Sequence, residues 1–264
     1  MLQRIYILLC AIFVTACNSD SATSTHVAKN TEINEQTING NLPIPDNRFQ
    51  THYNILIFGN SHANSIGPLI EKMIKAENSN IQVDSLTVGG SFLDSQDVMG
   101  QRAKLLQEQS WSHIVLQGQK YSQSGAVEYP TRAAKMWISQ AKANAIMPIL
   151  FPEHPQRGNL EEASRVHNIH KGIVFEQKAC VAPIGLAWDR VISLQPDLYL
   201  YLSDGNHAST VGKALTAFVL YEVITGNPAD LLPFIEDIDV DMSTQQLFRQ
   251  IASETIQSHL PCDF

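Results

Sequence analysis

Two distant stretches of the sequence carry residue types that can together perform nucleophilic catalysis. Ser61 follows an apolar run at residues 53–58 and a Gly-Asn dipeptide, a pattern typical of a strand that ends in a tight turn before a helix. Asp204 and His207 lie three residues apart in Asp-Gly-Asn-His. A serine hydroxyl becomes a nucleophile when a histidine accepts its proton and a carboxylate orients that histidine. We therefore predict Ser61 as nucleophile, His207 as base and Asp204 as the orienting acid.

Serine hydrolysis also needs N–H donors that stabilise the oxyanion. Gly89 and Gly90 follow a second strand-like run, and Gln117 and Gln119 follow a third. Glycine lets the backbone approach a substrate closely. The predicted donors are the backbone N–H groups of Ser61 and Gly90 (or Gly89) and a side-chain amide from Gln117 or Gln119. A helix N-cap at Ser61 and a plain strand-to-helix turn at the glycine pair are the alternative interpretations.

The remaining elements must bring these residues together. Strand-like runs lie at residues 53–58, 81–88, 111–116, 146–151 and 179–184. Helical patterns lie at residues 64–76, 95–109, 127–144, 160–177, 208–225 and 243–258, and the stretch with Trp188 and Pro196 is predicted to be irregular. Strands that alternate with long helices predict a parallel sheet with helices on both faces. In such sheets ligands bind beyond the carboxyl ends of the strands, where the Ser61, Gly90 and Gln117 turns fall.

Four short blocks resemble, in order, those of the SGNH hydrolases of the GDSL superfamily: Gly59-Asn60-Ser61-His62, Gly89-Gly90-Ser91, Gln117-Gly118-Gln119-Lys120 and Asp204-Gly205-Asn206-His207. The first block has Asn where Asp is commoner and His where Leu is usual. The third block differs from the usual Gly-x-Asn-Asp and resembles the Gln-Gly-Glu variant of the sialate and carbohydrate O-acetylesterase branch. The resemblance covers residues 53–226.

This resemblance implies a three-layer α/β/α sandwich around a mainly parallel five-stranded sheet, the flavodoxin-like SGNH fold. It also implies hydrolysis of acyl esters through an acyl-enzyme, with no metal or other cofactor. The shallow site of the family suits short acyl groups, such as O-acetyl esters on carbohydrates. The alternatives are a lysophospholipase or thioesterase acting on lipid acyl chains, and a non-catalytic, surface-anchored glycan-binding protein. An α/β-hydrolase is less consistent with the sequence, because there the nucleophile follows several strands.

The first 17 residues have the features of a bacterial export signal. Arg4 precedes an apolar run at residues 5–14 that is too short to span a bilayer, and Val-Thr-Ala-Cys17 resembles a lipobox. We predict lipid attachment at Cys17, a polar tether at residues 18–50 and a hydrolase domain at residues 51–264. Asn18 resembles an outer-membrane sorting residue, which predicts an outer-membrane lipoprotein. A plain secretory signal or a short N-terminal anchor is the alternative.

Charge and cysteine content narrow the classes further. The 18 basic and 26 acidic residues give a net charge of −8, which disfavours a nucleic-acid partner. Cys180 and Cys262 remain outside the export signal. In an oxidising compartment they are expected either to form a disulfide or to remain as a buried thiol and a free one.

Three other histidines have patterns that suggest possible sites. His167 and His170 share a predicted helix face, but without a third ligand we predict surface residues rather than a metal site. Glu153-His154 lies between two prolines at a strand end. It is predicted to be either a plain loop or the border of the substrate pocket.

Overall fold

The computed structural model describes residues 40–264. The predicted export signal, the predicted lipid-attachment site Cys17 and the part of the predicted tether up to residue 39 lie outside the described residues. Within residues 40–264, no helix is both long and apolar enough to cross a membrane.

Five parallel strands form one sheet in the order β2-β1-β3-β4-β5. The strands are β1 (His52–Phe58), β2 (Gln82–Val88), β3 (His113–Gln117), β4 (Met147–Phe151) and β5 (Cys180–Val181). Because every strand is parallel, all carboxyl ends meet at one edge of the sheet. The predicted fold class is confirmed.

Seven helices connect or cover the strands: α1 (Ile66–Glu77), α2 (Gln96–Glu108), α3 (Arg132–Ala143), α4 (Glu162–Glu176), α5 (Ile184–Leu194), α6 (Thr210–Thr225) and α7 (Met242–Ser258). Side chains of β1 alternate between the two faces of the sheet. Ile55 and Ile57 pack into a core with α1, α5, α6 and α7, whereas Leu56 and Phe58 pack into a second core with α2, α3 and the end of α4. These two cores separate the three layers of the sandwich.

The stretch that was predicted to be irregular contains α5. Ile184, Ala187, Trp188 and Val191 recur at helical spacing and are buried, so the apolar pattern of a helix was present. Pro183, which lacks a backbone N–H, lies at the N-cap of α5 and shortens β5 to two residues. Likewise α3 begins at Arg132 rather than at residue 127. The ring of Pro130 disfavours helical geometry at the residue before it.

Part of the stretch predicted to be a tether, residues 40–50, packs against the body of the domain that was predicted to begin at residue 51. Ile44 is buried in the core. Asn47 donates its side-chain amide to the carbonyls of Ser112 and Ala145, at 2.7 and 2.9 Å. The backbone N–H of Phe49 donates to the carbonyl of Thr225. The apolar residues of this stretch, Leu42, Ile44 and Phe49, are separated by prolines and polar residues and gave no periodic signal of this packing.

Two side-chain predictions are settled by the structure. Cys180 and Cys262 form a disulfide that joins β5 to the C-terminal segment, which is the bonded alternative. His167 and His170 were predicted to be surface residues, but both are buried, so that prediction is wrong. Within residues 40–264 no group of three or more His, Cys, Asp or Glu side chains is arranged to hold a metal ion.

Candidate active site

The three residues predicted to act together meet at the carboxyl edge of the sheet. Ser61 Oγ lies 2.8 Å from His207 Nε2, and His207 Nδ1 lies 2.6 Å from Asp204 Oδ2. Ser61 and His207 are 146 positions apart in the sequence. With Asp204 bound to Nδ1, the neutral imidazole carries its proton there, so that Nε2 is free to accept the proton of the Ser61 hydroxyl.

Ser61 is presented by a tight turn after β1. Gly59 is required because a Cβ at this position would lie 2.3 Å from the side-chain oxygen of Gln117. Asn60 caps the 3₁₀ turn Ser61–Ala63 by accepting the backbone N–H of His62 at 2.9 Å. We expected a helix to begin beside Ser61, but α1 starts at Ile66. The turn, rather than a long helix, therefore orients the serine.

A short loop before α6 holds Asp204 and His207. Oδ1 of Asp204 accepts the backbone N–H groups of Asn206 and His207, at 2.9 and 3.0 Å. Together with the hydrogen bond from the His207 ring, which is the largest effect, these bonds hold the pKa of Asp204 far below its usual range. The Asp204 carboxylate therefore stays ionised and locked to the ring that it orients. Both side chains remain partly exposed, with 47% and 37% of their surface accessible.

The loop after β4 fixes this segment from behind. His154 Nε2 lies 2.9 Å from the carbonyl oxygen of Asn206, and the side-chain amide of Gln156 donates to Asn206 Oδ1 at 3.1 Å. The backbone N–H of Arg157 donates to the carbonyl of Gly205 at 2.8 Å. The base is thus positioned by two loops from different parts of the chain.

Ser61 and Gly90 both line the cavity and have backbone N–H groups that are candidates for binding an oxyanion. Gly90 lines the cavity with a φ of +83°, a conformation that favours glycine. Gly89 does not line the cavity, and a Cβ there would meet the side chain of Asn64. Within residues 40–264 no acceptor contacts the N–H of Ser61 or of Gly90. Of the two glycines, Gly90 is therefore the one placed to bind an oxyanion.

Neither glutamine offers a free amide to that space. Gln117 is fully buried outside the cavity, where its oxygen accepts the Asn60 N–H at 2.7 Å and its amide donates to Glu153. Gln119 lines the cavity, but its amide donates to the carbonyls of Lys120 and Pro130, at 2.9 and 3.2 Å. The prediction of a glutamine donor is wrong for Gln117, whose side chain supports the serine turn instead.

Glu153 is a buried carboxyl group directly behind the serine turn. Its Oε1 accepts the side-chain amides of Asn60 and Gln117, and its Oε2 accepts the Tyr121 hydroxyl at 3.1 Å. Burial raises the pKa of Glu153 to about 7, although these donors act in the opposite direction. The sequence placed Glu153 at a strand end, and the structure places it at the border of the cavity.

Two further histidines surround the base. The ring of His62 stacks on that of His207, with centroids 5.0 Å apart, and His154 stacks on Trp188 at 3.9 Å. Burial lowers the pKa of His62 to about 4 and that of His154 to about 3. Both rings are therefore neutral at pH 7 and serve as uncharged walls rather than as bases. The only sequence signals for these two histidines were that His62 directly follows Ser61 and that His154 follows β4.

The cavity in front of Ser61 has a volume of about 750 Å³. Besides the residues above, it is lined by aromatic and polar side chains: Phe92, Lys120, Tyr121, Gln123, Tyr129 and Asn206. No Leu, Ile, Val or Met of the described chain lines it. Such a lining favours a small or polar ligand over a long alkyl chain.

Comparisons with known proteins identify relatives by fold. Neither a protein-family model nor a curated protein matches the sequence. A DUF4886 family protein from Bacteroides uniformis is similar, with a TM-score of 0.61 and 14% identity, over 80% of this chain and 97% of that chain. A protein from Slackia heliotrinireducens that has been proposed to be an SGNH hydrolase has a TM-score of 0.50 and 20% identity, over 65% and 98% of the two chains. A catalytic mutant of an acetylxylan esterase from Geobacillus stearothermophilus has a TM-score of 0.50 and 14% identity, over 65% and 94%. The chain therefore shares the fold of proteins described as SGNH hydrolases and carbohydrate esterases.

Proposed function

We propose that this protein is a serine esterase that hydrolyses short acyl esters, such as O-acetyl groups, on carbohydrate substrates. The observation that carries the proposal is the pair of contacts from Ser61 Oγ to His207 Nε2 and from His207 Nδ1 to Asp204, at 2.8 and 2.6 Å. A nucleophile, a base and an orienting acid are in hydrogen-bond reach without any rearrangement.

In the acylation step, His207 Nε2 takes the Ser61 proton while Oγ attacks the ester carbonyl carbon. The carbonyl oxygen becomes an oxyanion, which the N–H groups of Ser61 and Gly90 stabilise. The imidazolium, held by Asp204, then donates its proton to the departing alcohol oxygen. The alcohol leaves and an acyl-Ser61 ester remains.

In the deacylation step, water occupies the place of the alcohol. His207 accepts one proton of this water, whose oxygen attacks the acyl carbon and regenerates the oxyanion. Collapse of this intermediate breaks the bond to Ser61 Oγ, and His207 returns the proton to that oxygen. The products are a carboxylic acid and the free enzyme.

The lining of the cavity supports the substrate class. The aromatic rings of Phe92 and Tyr129 are partly exposed, and amide side chains lie beside them. Sugars offer hydroxyl groups to amides and C–H faces to aromatic rings, whereas a lipid acyl chain needs an aliphatic channel. One structural neighbour is described as an acetylxylan esterase, which agrees with an acetylated carbohydrate as the substrate.

The test compares acetyl and long-chain esters in the full chain. We expect hydrolysis of p-nitrophenyl acetate and acetylated xylo-oligosaccharides, and little of p-nitrophenyl palmitate. Ser61→Ala should lower kcat by about 10³-fold or more. Ser258→Ala, an exposed serine of α7, is the matched control and should retain full activity. Undiminished turnover in Ser61→Ala would defeat the proposal, and a preference for palmitate would indicate a lipid acyl hydrolase.

We also propose that export and lipid attachment at Cys17 anchor the domain to a bacterial membrane, with Asn18 directing it to the outer membrane. The lipobox-like sequence supports this. Cells fed with labelled palmitate should label the protein, and Cys17→Ser should abolish the label and release the protein from the membrane fraction. Equal labelling of both forms would exclude Cys17 as the lipid site.

A further inference from the structure

Arg102 is a fully buried cation in the layer below the site. It lies on α2, on the same helix face as Met99 and Leu106, and its side chain has no exposed surface. The guanidinium carbon lies 5.0 Å from the centre of the Phe58 ring. Burial lowers its pKa, but a guanidinium keeps its charge in proteins.

All hydrogen bonds of this guanidinium go to backbone carbonyls at the carboxyl edge of the sheet. Nη1 donates to the carbonyl of Phe92 at 2.8 Å, and Nη2 lies 3.1–3.2 Å from the carbonyls of Gly59, Val88 and Ser91. In the described part of the chain no carboxylate lies within salt-bridge distance of Arg102. The positive charge is therefore compensated mainly by carbonyl dipoles, together with the Phe58 ring and a longer-range attraction to Asp97.

These carbonyls belong to the two turns that carry the proposed oxyanion donors. Gly59 lies two residues before Ser61, and Val88 and Ser91 flank Gly90 on both sides. The backbone adds two bonds between the turns, from the Gly59 N–H to Val88 and from the Ser91 N–H to Gly59. Arg102 thus joins the two turns from below through four carbonyls, that of Gly59 in the first turn and those of Val88, Ser91 and Phe92 around the second.

Stability alone does not explain such a residue. Burying a charge without an ionic partner is costly, and an apolar side chain of similar volume is often at least as stable in its place. What an apolar side chain cannot do is bond to several carbonyls at once and hold two turns at one spacing. That spacing determines whether two N–H groups can point at the same oxygen.

We propose that Arg102 is a positioning residue that sets the distance between the Ser61 and Gly90 N–H groups and adds positive potential at the oxyanion. The inference rests on the esterase function proposed above. Because the oxyanion forms only in the transition state, loss of Arg102 should lower kcat with little change in KM. A role limited to folding would lower the melting temperature without this split.

The test compares Arg102→Met and Arg102→Lys with a matched control. Lys142→Met removes another buried cation, which lies near the end of α3. The Lys142 ammonium donates to the side chain of Asn41 and to the Leu42 carbonyl. With p-nitrophenyl acetate we expect Arg102→Met to lose about 10²-fold in kcat, as when one oxyanion donor is removed. Arg102→Lys should recover part of this loss, because an ammonium still donates to some of the carbonyls. Lys142→Met should lose stability but retain kcat.

The outcomes separate the two proposals. If Arg102→Met retains kcat to the same degree as Lys142→Met, the positioning role is overturned while the esterase remains. If Arg102→Met does not fold, Arg102→Lys decides, and a full kcat in that variant overturns the role. If the wild type reacts with a fluorophosphonate at Ser61 without turning over esters, the labelling rate replaces kcat, because phosphonylation uses the same donors. Absence of both reactions overturns both proposals.

Discussion

Ser61, Asp204 and His207, which we call the catalytic rim, lie in loops at the solvent boundary, whereas Arg102, Gln117 and Glu153, the buried polar layer, lie beneath them. The rim is partly exposed and its members bond mainly to one another. The buried polar layer has almost no exposed surface. Arg102 and Gln117 bond to backbone groups of the turns above them, and Glu153 accepts hydrogen bonds from the side chains of Asn60, Gln117 and Tyr121. In the mechanism proposed above, the rim residues carry out the reaction, and the buried polar layer fixes the positions of the turns that hold them.

The difference has an energetic cause. Polar groups at the surface exchange protein partners for water at little cost, so the rim contributes little to stability. Buried polar groups are costly unless every donor and acceptor finds a partner. Substitutions in the rim should therefore change rate more than stability, whereas those in the buried polar layer should change both.

The largest expected effect is in the rim. Asp204→Asn should lower kcat by about 10³- to 10⁴-fold, because the amide no longer holds the reactive tautomer of His207. Its unfolding midpoint in urea should stay close to that of the wild type. Steady-state kinetics measures the change in kcat, and urea titration measures the unfolding midpoint. A large loss of stability would contradict the separation between rim and layer.

A reference outside both regions should change stability alone. Cys262→Ala removes the disulfide that closes a separation of 82 residues, and it leaves Cys180 as a buried thiol. Chain-entropy reasoning for a loop of this length predicts a loss of about 4.5 kcal/mol in the free energy of unfolding. The activity of the folded protein, measured well below the melting temperature, should be unchanged. Reduced kcat under those conditions would show that the C-terminal link reaches the site.

The smallest expected effect depends on pH and concerns Glu153. Its pKa of about 7 in the folded protein lies above the ordinary value of 4.5, so the protonated carboxyl stabilises the fold. That stabilisation is complete below pH 4.5 and is lost as pH rises through 7. Relative to Glu153→Gln, the wild type should thus lose up to about 3 kcal/mol between pH 4.5 and 8.

The check is urea unfolding of both proteins at several pH values in that range. Contributions from titrating groups that do not contact Glu153 are common to the two proteins and cancel in the difference. His62 Nε2 lies 4.0 Å from Glu153 Oε2, but burial lowers the pKa of His62 to about 4, below the pH range of the test. Glu108→Gln, an exposed carboxylate of α2, serves as the control. A pH-independent difference between wild type and Glu153→Gln would show that Glu153 keeps an ordinary titration.

The sequence was sufficient to predict features that depend on residues close together in the chain. The strand before Ser61, the alternation of strands and helices and the Gly226 stop after α6 follow from short-range periodicity and backbone preference. The pairing of Asp204 with His207 was predictable because the two residues share one loop. The helix α5 was also present as a pattern, but the stretch that contains Trp188 and Pro196 was predicted to be irregular.

Only the tertiary structure decided which side chains face one another across distant elements. Gln117, which ends β3, was one of two glutamines expected at the oxyanion, but its amide donates to the carboxylate of Glu153, which follows β4. The sequence did not distinguish Arg102 from an ordinary helix residue, whereas the structure shows its guanidinium bonded to four carbonyls of two turns. Local propensity acts over a few residues, whereas burial assigns a polar group to whichever partners the packed chain brings within about 3 Å. The sequence by itself therefore determined the proposed catalytic residues and the layered fold, and packing determined what holds those residues in place.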